Sequence, residues 1–173
     1  FEQADKCYHL GYEFVTLPDG PMSSRRGNVV LYEDAMAAMR RRALEIIEEK
    51  NPDGRLTEEQ KQEIAGKVAV GSVLYLMLSR DNNTLIAWDM EEALSFQGHA
   101  APYVQYAHAR ACRILERAGG LPQGPVEFVD LQPEEIDLIQ KIAEFPEEVA
   151  KSAEEYRPLV IADYVFELAR LFN

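Results

Sequence analysis

At 173 residues and 47% hydrophobic content, the chain is long enough for one ordinary domain, or two small ones, with a real core. Its 30 acidic against 18 basic side chains leave a net charge of −12, which counts against a general nucleic-acid coat, since neutralising phosphate takes lysine and arginine. Two cysteines make no disulfide framework and fit a reducing compartment, and no apolar run has the length of a membrane span or the look of a signal peptide.

The chain opens on Phe1 and closes with ELARLFN inside a helical pattern, from which it is expected to be a piece of a longer protein. Residues 8–17, with Leu10, Tyr12 and Phe14 alternating, predict a strand, and Pro18-Asp19-Gly20 a turn. Residues 33–50 predict a helix with Met36, Met39, Leu44 and Ile47 on one side, ended by NPDG. Thr57 and Gln60 form a capping-box pattern for a second helix over 58–79, with Ile64, Val68, Tyr75 and Leu78 expected inward. The helical order breaks at 79–94, where TLIAW suggests a short strand and Trp88 a core anchor. Residues 99–120 predict the clearest helix, with Pro102 in its first turn and Gly119-Gly120 at its end. Three further helical runs follow, punctuated by Pro133, Pro146 and Pro158. A seam between a mixed α/β portion and an all-helical portion falls near Leu94–Gly98.

The basic residues are clustered: Arg25-Arg26, Arg40-Arg41-Arg42, and Arg110, Arg113 and Arg117. An acidic protein can bind a polyanion through such patches. The loop with Ser23, Ser24, Arg25, Arg26 and Gly27 combines hydroxyls, backbone donors and positive charge, the chemistry that holds triphosphate oxygens. It lacks the glycine spacing and the GK[ST] ending of a Walker loop, and by itself it reads first as a solvated surface loop. No Cys/His cluster has metal-ligand spacing, and no Ser-His-Asp arrangement can be argued.

MSSRRGN, residues 22–28, resembles the second nucleotide-binding signature of the class I aminoacyl-tRNA synthetases, KMSKS, often followed by a residue and Gly-Asn. Aligned on Gly27-Asn28, the first lysine falls on Pro21, Met22 and Ser23 match, the second lysine falls on Ser24 and the last serine on Arg25. Loss of both lysines looks like the arginyl-tRNA synthetase family, although the class I lysyl family has a similar loop. ALSFQGHAAPYVQYAHARACRIL, residues 93–115, separates the two. It resembles the arginyl family's entry into its anticodon-binding domain, S-F-x-G-x-x-G-P-Y-x-Q-Y-x-H-x-R, through Ser95, Phe96, Gly98, Pro102, Tyr103, Gln105, Tyr106, His108 and Arg110. Ala101 stands where the family usually has glycine, a change that would alter the turn before the helix if that position needs a positive φ. The closing IADYVFELARLFN is similar to a helix of the domain type called DALR.

The resemblance implies a mainly α chain in three parts. Residues 1–30 would end a Rossmann-type catalytic domain, 31–95 form a small α/β stem-contact region, and 96–173 a helical-bundle, DALR-type anticodon-binding domain. It implies an arginine–tRNA ligase that activates arginine with ATP, with tRNA bound, and transfers it to tRNA(Arg). Magnesium would arrive with ATP, no protein-bound metal is expected, and the parent is expected to be cytoplasmic, monomeric and free of membranes. Ser24 and Arg25 are the candidate catalytic pair, stabilising the phosphates as pyrophosphate leaves. Met22, Ser23, Arg26, Gly27 and Asn28 complete the ATP loop, with Met22 and Asn28 shaping it. For tRNA the candidates are Phe96, Gly98, Tyr103, Gln105, Tyr106, Arg110, Arg113, Arg40 and Arg41. Tyr103 and Tyr106 would stack on unpaired bases or, at spacing i, i+3, pack in the core. Gln105 would read a base edge, Arg110 and Arg113 meet phosphates, and Arg40–Arg42 face the inside corner of tRNA or simply decorate the second half of a helix. His108 reads as a structural histidine. The alternatives are another class I synthetase of the lysyl type and a non-catalytic tRNA-binding protein.

Overall fold

The computed structural model describes residues 3–96, 98–121, 124–125 and 128–173. Among them are three short strands and seven helices: β1 (Val15–Leu17), β2 (Gly20–Pro21), α1 (Tyr32–Lys50), α2 (Glu58–Leu78), β3 (Ile86–Ala87), α3 (Met90–Ala93), α4 (Ala101–Ala118), α5 (Pro133–Ala143), α6 (Phe145–Glu155) and α7 (Leu159–Phe172). The chain is mainly α, with a strand-bearing first half and an all-helical second half.

The sheet has the order β2-β1-β3. β1 and β2 are an antiparallel hairpin with Leu17 opposite Gly20, and β1 and β3 run parallel with Val15 opposite Ile86. The expected strand over 8–17 forms only at its end. Leu10, Tyr12 and Phe14 are exposed, because alternation makes a strand only where a partner edge and a covering layer exist. Before β1 the segment is tied to the α2–β3 turn by one bond, from the Glu13 N–H to the Asn82 carbonyl at 2.9 Å.

α1 and α2 make the most extensive helix–helix contact. Met39 and Ala43 of α1 pack against Ala65, Ala69 and Leu76 of α2, and Ala93 with Leu94 closes the cluster. The expected inward face of α2 is displaced. Ala65, Ala69, Ser72 and Leu76 are buried and the expected Val68 packs partly buried against their cluster, whereas Ile64 and Leu78 are exposed. Small side chains let two helix backbones approach, so the stripe of alanines faces α1 and the larger residues lie around the helix from it. Tyr75 and Leu78 instead line a groove of about 460 Å³ with Val104 and Gln105 of α4 and Ile161, Ala162 and Val165 of α7.

The ends follow local chemistry. The Thr57 hydroxyl accepts from the Gln60 N–H (3.2 Å) and the Gln60 side chain accepts from the Thr57 N–H (2.9 Å), the reciprocal capping box. α4 begins with Pro102 in its first turn and ends at Gly119, φ +77°. Pro133 and Pro146 lie in the first turns of α5 and α6, and Pro158 immediately precedes α7, so the prolines start helices as well as separate them.

Met39→Ala, at a side chain with no exposed surface, is expected to cost about 2–5 kcal/mol. Thr57→Ala is expected to cost about 1 kcal/mol. Urea midpoints at unchanged denaturant slope measure both; a Met39→Ala loss no larger than the cap loss would place the core elsewhere.

Candidate functional site

The hairpin β1–β2 delivers the chain into residues 22–28, which close on themselves. The Ser23 N–H donates to the Asn28 carbonyl at 2.9 Å and the Asn28 N–H to the Ser23 carbonyl at 3.2 Å. Between these clamps Ser24–Arg26 form one 3-10 turn, with the Arg26 N–H on the Ser23 carbonyl and the Gly27 N–H on the Ser24 carbonyl. Gly27, at φ +69°, reverses the chain in the left-handed region that glycine enters without penalty. Beneath the loop, Met22 lines a small apolar cavity with Val15, Met36 and Trp88, which anchors its base to α1 and β3. Asn28 Oδ1 is buried without a protein partner.

The result is a short, fixed platform with Ser24, Arg25 and Arg26 exposed at its tip. No acidic side chain pairs with either arginine among the described residues, so both guanidinium groups remain available to an anion. The chemistry offered is five-donor cationic forks beside hydroxyl groups, suited to phosphate oxygens.

The second cluster is on and around α4. Tyr106, Arg110, Arg113 and Arg117 fall at helical spacing on the face opposite Ala107 and Ala111, which line an apolar groove against α5 and α7. Tyr106 is 56% exposed. Arg113 meets Glu116 at 3.5 Å, and Arg110 donates to the Asn173 carbonyl at 2.9 Å beneath the ring of Phe172. Tyr103 turns the other way and lies 5.3 Å from the Phe166 ring of α7. Gln105 also points inward, its Nε2 donating to the Lys67 carbonyl of α2 at 3.1 Å while its Oε1 is buried without a partner. The two tyrosines thus divide between packing and exposure. Ala101 begins α4 after an extended Ala100 (φ −138°) and takes no positive φ, so the glycine of the resembled motif is not needed here.

Phe96 is partly exposed with the Lys50 ammonium 5.2 Å from its ring centroid, and Gly98 has φ +94°. His108 faces Cys112 Sγ at 3.6 Å. Of the α1 arginines, Arg42 is engaged by Glu91 (2.8 Å) and Glu45 (3.0 Å), whereas Arg40 and Arg41 have no acidic partner among the described residues. The Arg40 guanidinium lies over Gly66, where an added Cβ would come within 3.2 Å of Nη2.

Sequence reasoning missed a knot between α2 and α7. The Tyr75 hydroxyl donates to the Ala162 carbonyl (3.2 Å) and faces His99 Nδ1 (3.1 Å), while His99 Nε2 lies 3.3 Å from Asp163. The His99 ring packs on Phe166 at 4.2 Å. Burial, with Asp163 nearby, pushes the Tyr75 hydroxyl above the ordinary phenol range, so it stays a donor. His99 occupies an unspecified position of the resembled motif, which left no signal for it.

Residues 2–89 match the family profile described as tRNA synthetases class I (R), catalytic domain, and residues 104–173 match the DALR anticodon binding domain. An arginine–tRNA ligase of Pyrococcus abyssi is 39% identical over 99% of this chain and 28% of its own length. One of Thermus thermophilus is 40% identical over 98% of this chain and 28% of its own. The chain therefore spans less than a third of the curated relatives it matches. The solved Thermus thermophilus arginyl-tRNA synthetase superposes with a TM-score of 0.86 at 38% identity, over 98% of this chain and 27% of that one. Arginyl-tRNA synthetase from Plasmodium falciparum shares the fold at a TM-score of 0.74 and 16% identity, over 95% of this chain and 27% of that one.

Gly27→Ala is expected to cost about 1–2 kcal/mol because alanine resists the left-handed region. Arg25→Ala and Arg26→Ala are expected to change stability by less than about 0.5 kcal/mol, since both side chains are exposed and unpaired. Urea denaturation of the three variants checks the contrast, and a large loss for either arginine would show it holds the fold.

Proposed function

The chain belongs to the class I tRNA synthetases of the arginine type, and we propose that its full-length protein joins arginine to tRNA(Arg) at the expense of ATP. In the first step the arginine carboxylate attacks the α-phosphorus and pyrophosphate leaves. In the second, a hydroxyl of the terminal ribose of tRNA takes the arginyl group and AMP is released. The observation that carries this reading is the clamped loop 22–28, with two unpaired arginines at its tip inside the matched catalytic-domain segment.

Ser24 and Arg25 act on the triphosphate as negative charge builds on the departing pyrophosphate. A guanidinium supplies the charge that lysine gives in the signature the loop resembles, in a planar and less compact form. Ser23, Arg26 and the turn at Gly27 hold the phosphates against them, and Met22 and Asn28 keep the loop in shape. Magnesium enters with ATP. Residues 1–30 serve as the catalytic tail, 31–95 as the stem-contact region and 96–173 as the anticodon-binding part. tRNA lies along Phe96, Gly98, Tyr106 and the arginine face of α4, and meets Arg40 and Arg41 on α1. Tyr103 and Gln105 contribute by setting the angle of α4, through Phe166 and the Lys67 carbonyl. No helix of the described residues is long and apolar enough to cross a membrane, and we place the protein in the cytoplasm as a monomer.

The test is charging of total tRNA by the full-length protein with each amino acid in turn. Arginine-only charging is expected, with Arg25→Ala lowering kcat on the order of 100–1,000-fold while the KM for arginine stays within about twofold, as for loss of one charge-stabilising donor. Lysine charging would move the protein to the lysyl type, and binding without charging would leave a tRNA-binding protein. The isolated chain is expected to form no arginyl-adenylate. Its tRNA affinity should fall with salt by a slope equivalent to about six phosphates or fewer, and a much steeper slope would contradict local patches.

A further inference from the structure

The turn from α6 to α7 is made by a tyrosine in a conformation that glycine ordinarily takes. Tyr156 has φ +52° and ψ +40°, and the Arg157 N–H closes on the Ser152 carbonyl at 3.0 Å. A side chain is unfavourable in the left-handed region, so glycine would suit the turn alone better. The tyrosine instead reaches out of the helical half. Its ring stacks on Tyr8, with centroids 4.2 Å apart and planes within 14°, and its carbonyl accepts from Asn82 Nδ2 at 2.9 Å. The next residue, Arg157, donates to Asp81 at 2.9 Å.

Asp81 and Asn82 begin the turn between α2 and β3. The Asn82 carbonyl takes the Glu13 N–H, and the neighbouring Phe14 carbonyl takes the Ile86 N–H of β3. β1, β2 and the 22–28 loop follow directly in the chain. One corner of the helical half is therefore bonded to the turn that carries the hairpin beneath the loop.

We propose that Tyr156 and Asn82 are positioning residues: the α6–α7 corner docks on Tyr8 and on the 81–82 turn and holds the helical half at a set angle to the hairpin bearing the loop. Only the naming of what each half faces, RNA or ATP, rests on the proposed function. Neither residue enters the ATP loop or the arginine face of α4. A strained tyrosine whose ring and carbonyl are both engaged across the seam is the mark of a position selected for docking rather than for the turn.

Amide hydrogen exchange on this chain tests it, without ATP, arginine or RNA. In Tyr156→Gly, amides of α6 and α7 should exchange as slowly as in the unsubstituted chain, while those of Glu13, Ser23 and Asn28 exchange roughly 3–10-fold faster, as local opening becomes easier. Asn82→Ala should give the same rise from the other side of the seam, and Tyr156→Phe, which keeps the stack, should restore the original rates. Unchanged exchange at Glu13 and Ser23 in both variants would overturn the docking. So would faster exchange confined to α6 and α7, which would make the tyrosine a part of the turn alone. An inactive full-length protein would leave these exchange rates, and so the docking, untouched.

Discussion

The architecture depends on a helix, α2, that has to satisfy two neighbours at once. Its buried stripe, Ala65, Ala69, Ser72 and Leu76, is narrow and small enough to let α1 come close, and Met39 fills the space between them. Well around the helix, Gly71 leaves room for α4. A Cβ at that position would stand 2.4 Å from the Gln105 amide nitrogen and 3.8 Å from the Ala101 Cβ. A helix packed on both sides is apolar nearly all round, and this is why α2 shows no single hydrophobic face.

That shared helix ties the two candidate sites to one frame. At its C-terminal end the chain turns through Asp81–Thr84, closed by the Thr84 N–H on the Asp81 carbonyl, and runs into β3. β3 sets β1 in parallel register, β1 sets β2, and β2 delivers the clamped loop. On its other side α2 holds Gln105 through the Lys67 carbonyl and Ala162 of α7 through the Tyr75 hydroxyl. The loop and the arginine face of α4 therefore sit on opposite flanks of the same rod. The loop-bearing flank carries the buried cluster around Met39 and Leu94, on which Ile86 and Trp88 also pack, so the relative placement of the two surfaces comes from α2, from that cluster and from the polar contacts around the helix.

Local signals were the ones legible in the sequence. The capping box at Thr57, the first-turn proline of α4 and the glycine that ends it act within a few residues, and each formed where its chemistry placed it. The clamped loop was legible as a family signature and its tip as a cationic platform. The inward face of α2 was not, because periodicity follows large apolar residues, and close packing selected small ones. Tyr12 and Phe14 alternate like a strand yet find no sheet to cover them, a fact that resides in the partner segments. The same holds for His99, Tyr75 and Asp163, which are far apart in the chain and meet only once α7 crosses α2. Gln105 is the sharpest case. Its motif position pointed to base reading, but a residue on the flank of α4 facing α2 has a backbone carbonyl as its nearest polar neighbour.

The charge distribution explains how an acidic chain can serve a polyanion. Half of the arginines are neutralised in place: Arg42 by Glu91 and Glu45, Arg55 by Asp53, Arg80 by Glu92, Arg113 by Glu116, Arg157 by Asp81 and Glu155, and Arg170 by Glu167. Among the described residues, the arginines with neither an acidic nor a carbonyl partner are Arg25 and Arg26 on the loop, Arg40 and Arg41 on α1, and Arg117 on α4. Together with the exposed but partnered Arg110 and Arg113 of α4, these are the places where the proposed function puts phosphate. A paired guanidinium presents little field beyond a Debye length of about 8 Å at physiological salt, whereas an unpaired one attracts within it. With −12 net charge on the chain, a polyanion approaching away from such patches meets net repulsion. Under the proposed function, the acidic residues on α5 and α6 would select against misplaced contacts, and specificity would come as much from where the arginines are cancelled as from where they are free.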